Sequence, residues 1–156
     1  MSYKARFIKS ASKGVERFDN EANDCTVRAL ANAYGMPYKL AHRIMGKAGR
    51  KQGKGPKLDI MHKTYTRLGF EIDRIHGETN AARYLWKYLA VGHTKYRGTT
   101  LGSILPLLSI GRFIVLIRGH VFAVVNGEVL DYGDNPTNCS VAAVYKLPEQ
   151  HILFNQ

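Results

Sequence analysis

The chain is 156 residues long with 45% apolar content, enough for one globular domain with its own hydrophobic core and too apolar for a disordered chain or a disulfide-dependent miniprotein. No apolar run follows the basic residues of the amino end, and none approaches the roughly 18 residues of a membrane span, so a single cytoplasmic domain over residues 1–156 is expected, with Cys25 and Cys139 both as thiols. The 23 Lys and Arg against 12 Asp and Glu give a net charge of +11, which speeds encounter with nucleic acid, anionic surfaces or acidic proteins without selecting among them.

Residues 1–18 mix basic residues with single aromatics (Tyr3, Phe7, Phe18) and carry no helical stripe, so an extended arm packed on the domain is predicted. Asn23 and Asp24 are good N-cap residues, and Val27, Leu30 and Ala31 follow at core-facing helical spacing, predicting a helix from about Thr26 to Tyr34 that stops at Gly35. Cys25 then falls in the first turn. There the unpaired backbone N–H groups and the positive end of the helix dipole favour thiolate over thiol. Asp24 opposes this electrostatically, so a base is needed. Pro37 suits the start of a second helix through about Met45.

Residues 46–57 form the one composition shift, glycine-rich and with Lys47, Arg50, Lys51, Lys54 and Lys57 unrelieved by any acidic residue. They predict a mobile basic loop, either solvated or contacting a phosphate or an acidic partner. Leu58, Met61, Tyr65 and Leu68 mark a third helix ending before Gly69, followed by a strand over Phe70 to Ile75. Thr79 or Asn80 caps a fourth helix through about Leu89 with Trp86 in the core, and a fifth runs over Leu101 to Leu108, kinked or shortened by Pro106.

From Arg112 the period becomes that of strands. Phe113 to Ile117 reads as a central strand, His120 onward as the next, and Ser140 to Leu147 as another. Asn126-Gly127 between apolar runs is a strong hairpin signal. A two-residue turn there pairs Val125 with Glu128, Val124 with Val129, Ala123 with Leu130 and Phe122 with Asp131, which sets Asp131 diagonally beside His120, within reach of its imidazole. Helices first and an antiparallel sheet afterwards is an α+β order.

A Cys at the start of the first helix (Cys25), a Gly-His opening a strand (Gly119-His120) and an Asp closing the next (Asp131) together resemble the papain-like cysteine peptidase superfamily, particularly its small bacteriocin-processing branch and related phage-encoded proteins. The resemblance implies a papain-like fold in which Cys25 is the nucleophile, His120 the general base and acid, and Asp131 the residue that orients the histidine. The family also carries an oxyanion-hole Gln shortly before the nucleophile. This chain has Asp19 and Asn20 there, which leaves Asp19, Asn20 and Asn23 as the candidates. The resemblance further implies a protein or peptide substrate and, for a phage-encoded member, action inside the bacterial host.

Metal motifs are missing: there is no Cys-x-x-Cys, no His-Glu-x-x-His and no zinc-deaminase signature, and neither metal nor cofactor is expected. Cys139 lacks the companions of Cys25 and is expected to be structural. His42 and His62 are expected on helix surfaces. Two functions from different classes remain: a thiol-dependent acyl-transfer hydrolase cleaving a peptide or isopeptide, and a catalytically inactive protein of the same fold that binds nucleic acid or an acidic protein through its basic surface, with no membrane role in either.

Overall fold

The computed structural model describes residues 6–8, 21–72, 100–117, 119–131, 138–139 and 141–149; the expected helix around Trp86, most of the amino-terminal arm, and Asp19 and Asn20 lie outside them. The apolar stripe after Asp24 forms helix α1 (Cys25–Tyr34), in which Val27, Leu30 and Ala31 are fully buried. Gly35 ends it in the left-handed region, and Arg112 closes the carboxyl end by donating from Nη1 to the Ala33 carbonyl at 3.2 Å. Helix α2 (Tyr38–Ala48) starts behind Pro37 and runs three residues past the expected Met45, taking Gly46 to Ala48 out of the basic loop. Helix α3 covers Leu58–Arg67.

Further along, α4 (Leu101–Ile104) opens with a capping box between Thr100 and Ser103 and tightens into a 3-10 turn over Leu105–Leu108, where Pro106 removes a donor the α-helix would need. The strands are β1 (Arg6–Ile8), β2 (Glu71–Ile72), β3 (Arg112–Ile117), β4 (His120–Val125), β5 (Glu128–Leu130) and β6 (Val141–Leu147), in the spatial order β1-β5-β4-β3-β6-β2. All pairings are antiparallel except one: β1, from the expected arm, lies parallel to β5 at the sheet edge.

The continuous apolar runs of β3, β4 and β6 follow from a sheet covered on both sides. One face, with Ile114, Leu116, Val121, Ala123 and Tyr145, packs on α1, α2 and α3; the other, with Phe113, Val115, Phe122 and Val124, packs on Leu101, Ile104, Leu105 and Leu108. This is an α+β fold with β3 at its centre. Its effect on the site is to lay α1 across β4, with the amino end of the helix at the end of the sheet where β4 begins.

Candidate active site

Three elements meet at that end of the sheet. Cys25 is the first residue of α1, His120 the first of β4, and Asp131 follows directly after β5. The hairpin turn brings the last two together: Asn126 and Gly127 both adopt positive φ, 49° and 81°, as a two-residue turn requires, and the register is Val125 with Glu128, Val124 with Val129 and Ala123 with Leu130. His120 Nε2 meets Asp131 Oδ2 at 2.5 Å. With Nε2 so occupied, Nδ1 is the nitrogen left for the thiol; Cys25 and His120 line the same cavity, close enough for each to shift the other's titration. Strand parity assigns His120 to the face of Phe122, away from α1. Its ring does lie beside that of Phe122, centroids 5.9 Å apart, and as the terminal residue of its strand it also lines the cavity that Cys25 borders.

The electrostatics follow from these contacts. Burial alone raises the thiol and depresses the imidazole, since each would lose its hydrating water on ionising. Burial is the largest single influence on each group, but the opposing interactions together outweigh it: His120, then the Val121 backbone N–H and the positive Arg28, at Cys25; the Asp131 carboxylate first and then Cys25, at His120. The Cys25 thiol is held below its ordinary range and the His120 imidazole is raised to about 9. Both shifts run in the direction of a thiolate–imidazolium pair. Cys139 is the opposite case: partly buried, with its backbone carbonyl accepting from Leu101 N at 2.9 Å, it has a thiol that burial pushes up.

Asp24 was expected to cap α1 and to oppose the thiolate. It occupies the N-cap position, but its carboxylate makes no cap hydrogen bond. Arg28 Nε donates to Asp24 Oδ1 at 2.9 Å, and the Tyr38 hydroxyl donates to Asp24 Oδ2 at 2.8 Å. The charge that would have repelled a thiolate is thereby engaged by a guanidinium. That guanidinium also donates from Nη1 to Asp131 Oδ1 at 3.0 Å. Asp24, Arg28 and Asp131 are all buried, so one arginine ties the helix start to the carboxylate that holds the histidine. The available signal was a basic residue four positions after Asp24 inside an otherwise apolar helical face.

Asn23 lies at φ 50° and donates from Nδ2 to the Gly53 carbonyl at 2.9 Å, so its amide serves the loop. The expected mobile loop is anchored through one buried carboxylate. Glu21 Oε2 accepts from Arg50 Nη1 at 3.0 Å and meets His42 Nε2 at 2.6 Å, while its Oε1 accepts from Gly53 N at 2.7 Å. Arg50 also donates to the Ala22 carbonyl at 3.1 Å. Arg50 is 6% exposed and does not belong with the surface cations; Lys47, Lys51, Lys54 and Lys57 are exposed. His42 likewise has a carboxylate partner that no local pattern announced, and His62 pairs through Nδ1 with the Tyr145 hydroxyl at 2.9 Å.

Beyond the anchor, Gly55 and Pro56 form one wall of a cavity of about 270 Å³, with Met61 beside them and Cys25, Gly119 and His120 opposite. The thiol therefore borders a mainly apolar recess large enough for a side chain. From below, the fully buried Tyr65 donates its hydroxyl to the Thr26 carbonyl at 2.8 Å, fixing the first turn of α1. Among the described residues no group of three or more His, Cys, Asp or Glu could hold a metal ion, and no helix is long and apolar enough to cross a membrane. Against models of protein families, curated proteins and solved structures, the chain has no match.

Proposed function

We propose that the protein is a cysteine-dependent acyl-transfer hydrolase of papain-like arrangement, acting on a peptide or isopeptide bond. The observation that carries this reading is that Cys25 shares a cavity with His120, whose ring meets Asp131, with the thiol lowered and the imidazole raised. A thiolate kept by an adjacent imidazolium is a nucleophile near neutral pH with its proton donor already in place. Cys25 Sγ attacks the carbonyl carbon, the C–S bond forms, and the π electrons move to oxygen. The amino end of α1, which has no side-chain cap, supplies positive potential near that oxyanion. The imidazolium gives its proton to the leaving nitrogen as the C–N bond breaks, leaving a thioester and neutral His120. Water then attacks, His120 takes its proton, and the thiolate leaves with the acid product released. Asp131 holds the imidazole in position and stays ionised throughout.

The test is mass-spectrometric mapping after brief iodoacetamide treatment near neutral pH, followed by an acid quench of the protein with a mixed peptide pool to trap the acyl-enzyme. Alkylation and acylation confined to Cys25, both lost in His120→Ala, support the proposal. Preferential labelling of Cys139 overturns it. A second reading draws on the four exposed lysines from Lys47 to Lys57: an inactive binder of nucleic acid or an acidic protein. It requires binding that survives Cys25→Ala, weakens steeply with salt and disappears when those lysines are neutralised.

A further inference from the structure

We propose that Arg28 is a positioning residue for the site: it clamps Asp131 in the orientation that meets His120, and is itself aimed by Asp24 and Tyr38. The inference rests on the proposed hydrolase and extends it to a residue outside the Cys-His-Asp set. Its basis is geometric. Arg28 presents a planar fork, and two of its nitrogens are used on two carboxylates from different parts of the chain, Nε on Asp24 Oδ1 at 2.9 Å and Nη1 on Asp131 Oδ1 at 3.0 Å. This leaves Asp131 Oδ2 directed at His120 Nε2. A carboxylate with one oxygen fixed in this way cannot rotate without breaking a charge-assisted bond.

The groups around this fork come from three helices and two strands. Asp24 and Cys25 belong to α1, the Tyr38 hydroxyl comes from α2, Asp131 follows β5, and His120 opens β4; Tyr65 of α3 lies close enough to the thiol to be affected by its charge. Burying a guanidinium and two carboxylates is costly unless their geometry is fixed, and replacing such a set with apolar residues is often neutral for stability. A role in aiming the base explains why the charges stand there.

Clamping and simple charge make opposite forecasts. Taking a positive charge away from Asp131 should, by charge alone, strengthen its hold on the His120 proton. Losing the clamp should weaken it. In Arg28→Met we expect the His120 titration, followed by NMR of labelled histidine, to move down, and the acid limb of Cys25 alkylation against pH to move up, cutting reactivity ~10-fold at a fixed pH on that limb. Arg28→Lys keeps the charge but cannot span both carboxylates with a fork, and we expect it to behave as Arg28→Met does. An upward His120 titration in Arg28→Met, or a parental profile in Arg28→Lys, overturns the proposal. Should both fail to fold, Asp24→Asn decides: lost aim moves the acid limb up, whereas removing a negative charge beside the thiol moves it down, and a downward or absent shift overturns the clamp. The imidazole titration reads the Asp131 contact whether or not any substrate is turned over. Failure of the hydrolase reading, seen as Cys25 alkylation indifferent to His120→Ala, is therefore distinguishable from failure of the clamp.

Discussion

Two buried arginines near Cys25, Arg28 and Arg50, each engage buried carboxylates, and they do different things. Glu21 with Arg50 gathers the Gly53 amide, the Ala22 carbonyl and the His42 imidazole, none of which leads to a nucleophile, and the product is a fixed loop. Asp131 with Arg28 ends on a titratable ring, and through that ring on a thiol. Both carboxylates hold an imidazole, so the difference lies in what the ring faces: the pair is a staple where the ring is His42, and a tuning device where the ring is His120 beside Cys25. Glu21 shows how firm the staple is: bonds from Arg50, Gly53 and His42 hold its carboxyl down to about 2 despite burial.

The sharpest way to break the comparison is at the ring. His120→Ala should lower turnover of a cleavable peptide by ~10²–10⁴-fold and cut Cys25 alkylation near neutral pH, while thermal unfolding monitored by circular dichroism shifts little, because the imidazole is partly exposed at a strand end. The complementary cut is Glu21→Gln, which leaves Arg50 buried without its charge partner. Urea unfolding should register a loss of about 3–5 kcal/mol, with the pH at which Cys25 becomes reactive unchanged. If Glu21→Gln moves the reactivity profile as far as Asp131→Asn does, the two pairs are not separable.

The staple also has a pH signature. Glu21 is depressed in the folded protein from an ordinary 4.5 to about 2, so its contribution is fully present above about 4.5 and is lost as pH falls towards 2. That contribution is on the order of 3 kcal/mol. Stability measured in urea should decline over that interval in the parent, and the part owed to Glu21 should be missing in Glu21→Gln. The smallest effect is expected at the rim. Changing Lys47, Lys51, Lys54 and Lys57 to Gln should leave Cys25 alkylation within about twofold of the parent, since exposed charges are screened beyond ~10 Å at ordinary salt. A larger change would mean that the lysines act on the thiol directly.

The legible parts of this molecule are those with a local period. The stripe Val27, Leu30, Ala31 announced α1, Pro106 announced the break after Ile104, and Asn126-Gly127 set a register that carries Asp131 to His120. What stayed hidden were contacts between charged residues far apart in the chain. Arg28 and Asp131 are separated by 103 positions, and Arg50 finds Glu21 across 29. Composition cannot tell a cation that will be buried from one that will be solvated, so Arg50 read as one more basic residue of a loop. Asp24 misled for a related reason: its N-cap position was right, but a carboxylate with a guanidinium four residues on and a phenol across the helix pair has better partners than the backbone amides it would otherwise cap.

The parallel edge strand ties the surroundings of Cys25 to pairing between distant parts of the chain. Ile8 of β1 pairs with Leu130, the residue immediately before Asp131, so a segment that precedes Cys25 waits for β5, far along the chain, before it can dock. Such long-range closure is slow compared with forming the helices. A nascent chain thus carries Cys25 at the tip of an early helix long before it carries His120, Asp131 or the strand that β1 braces. Until β4 and β5 are in place, the thiol lacks the neighbours that lower it and keeps the range of an ordinary cysteine.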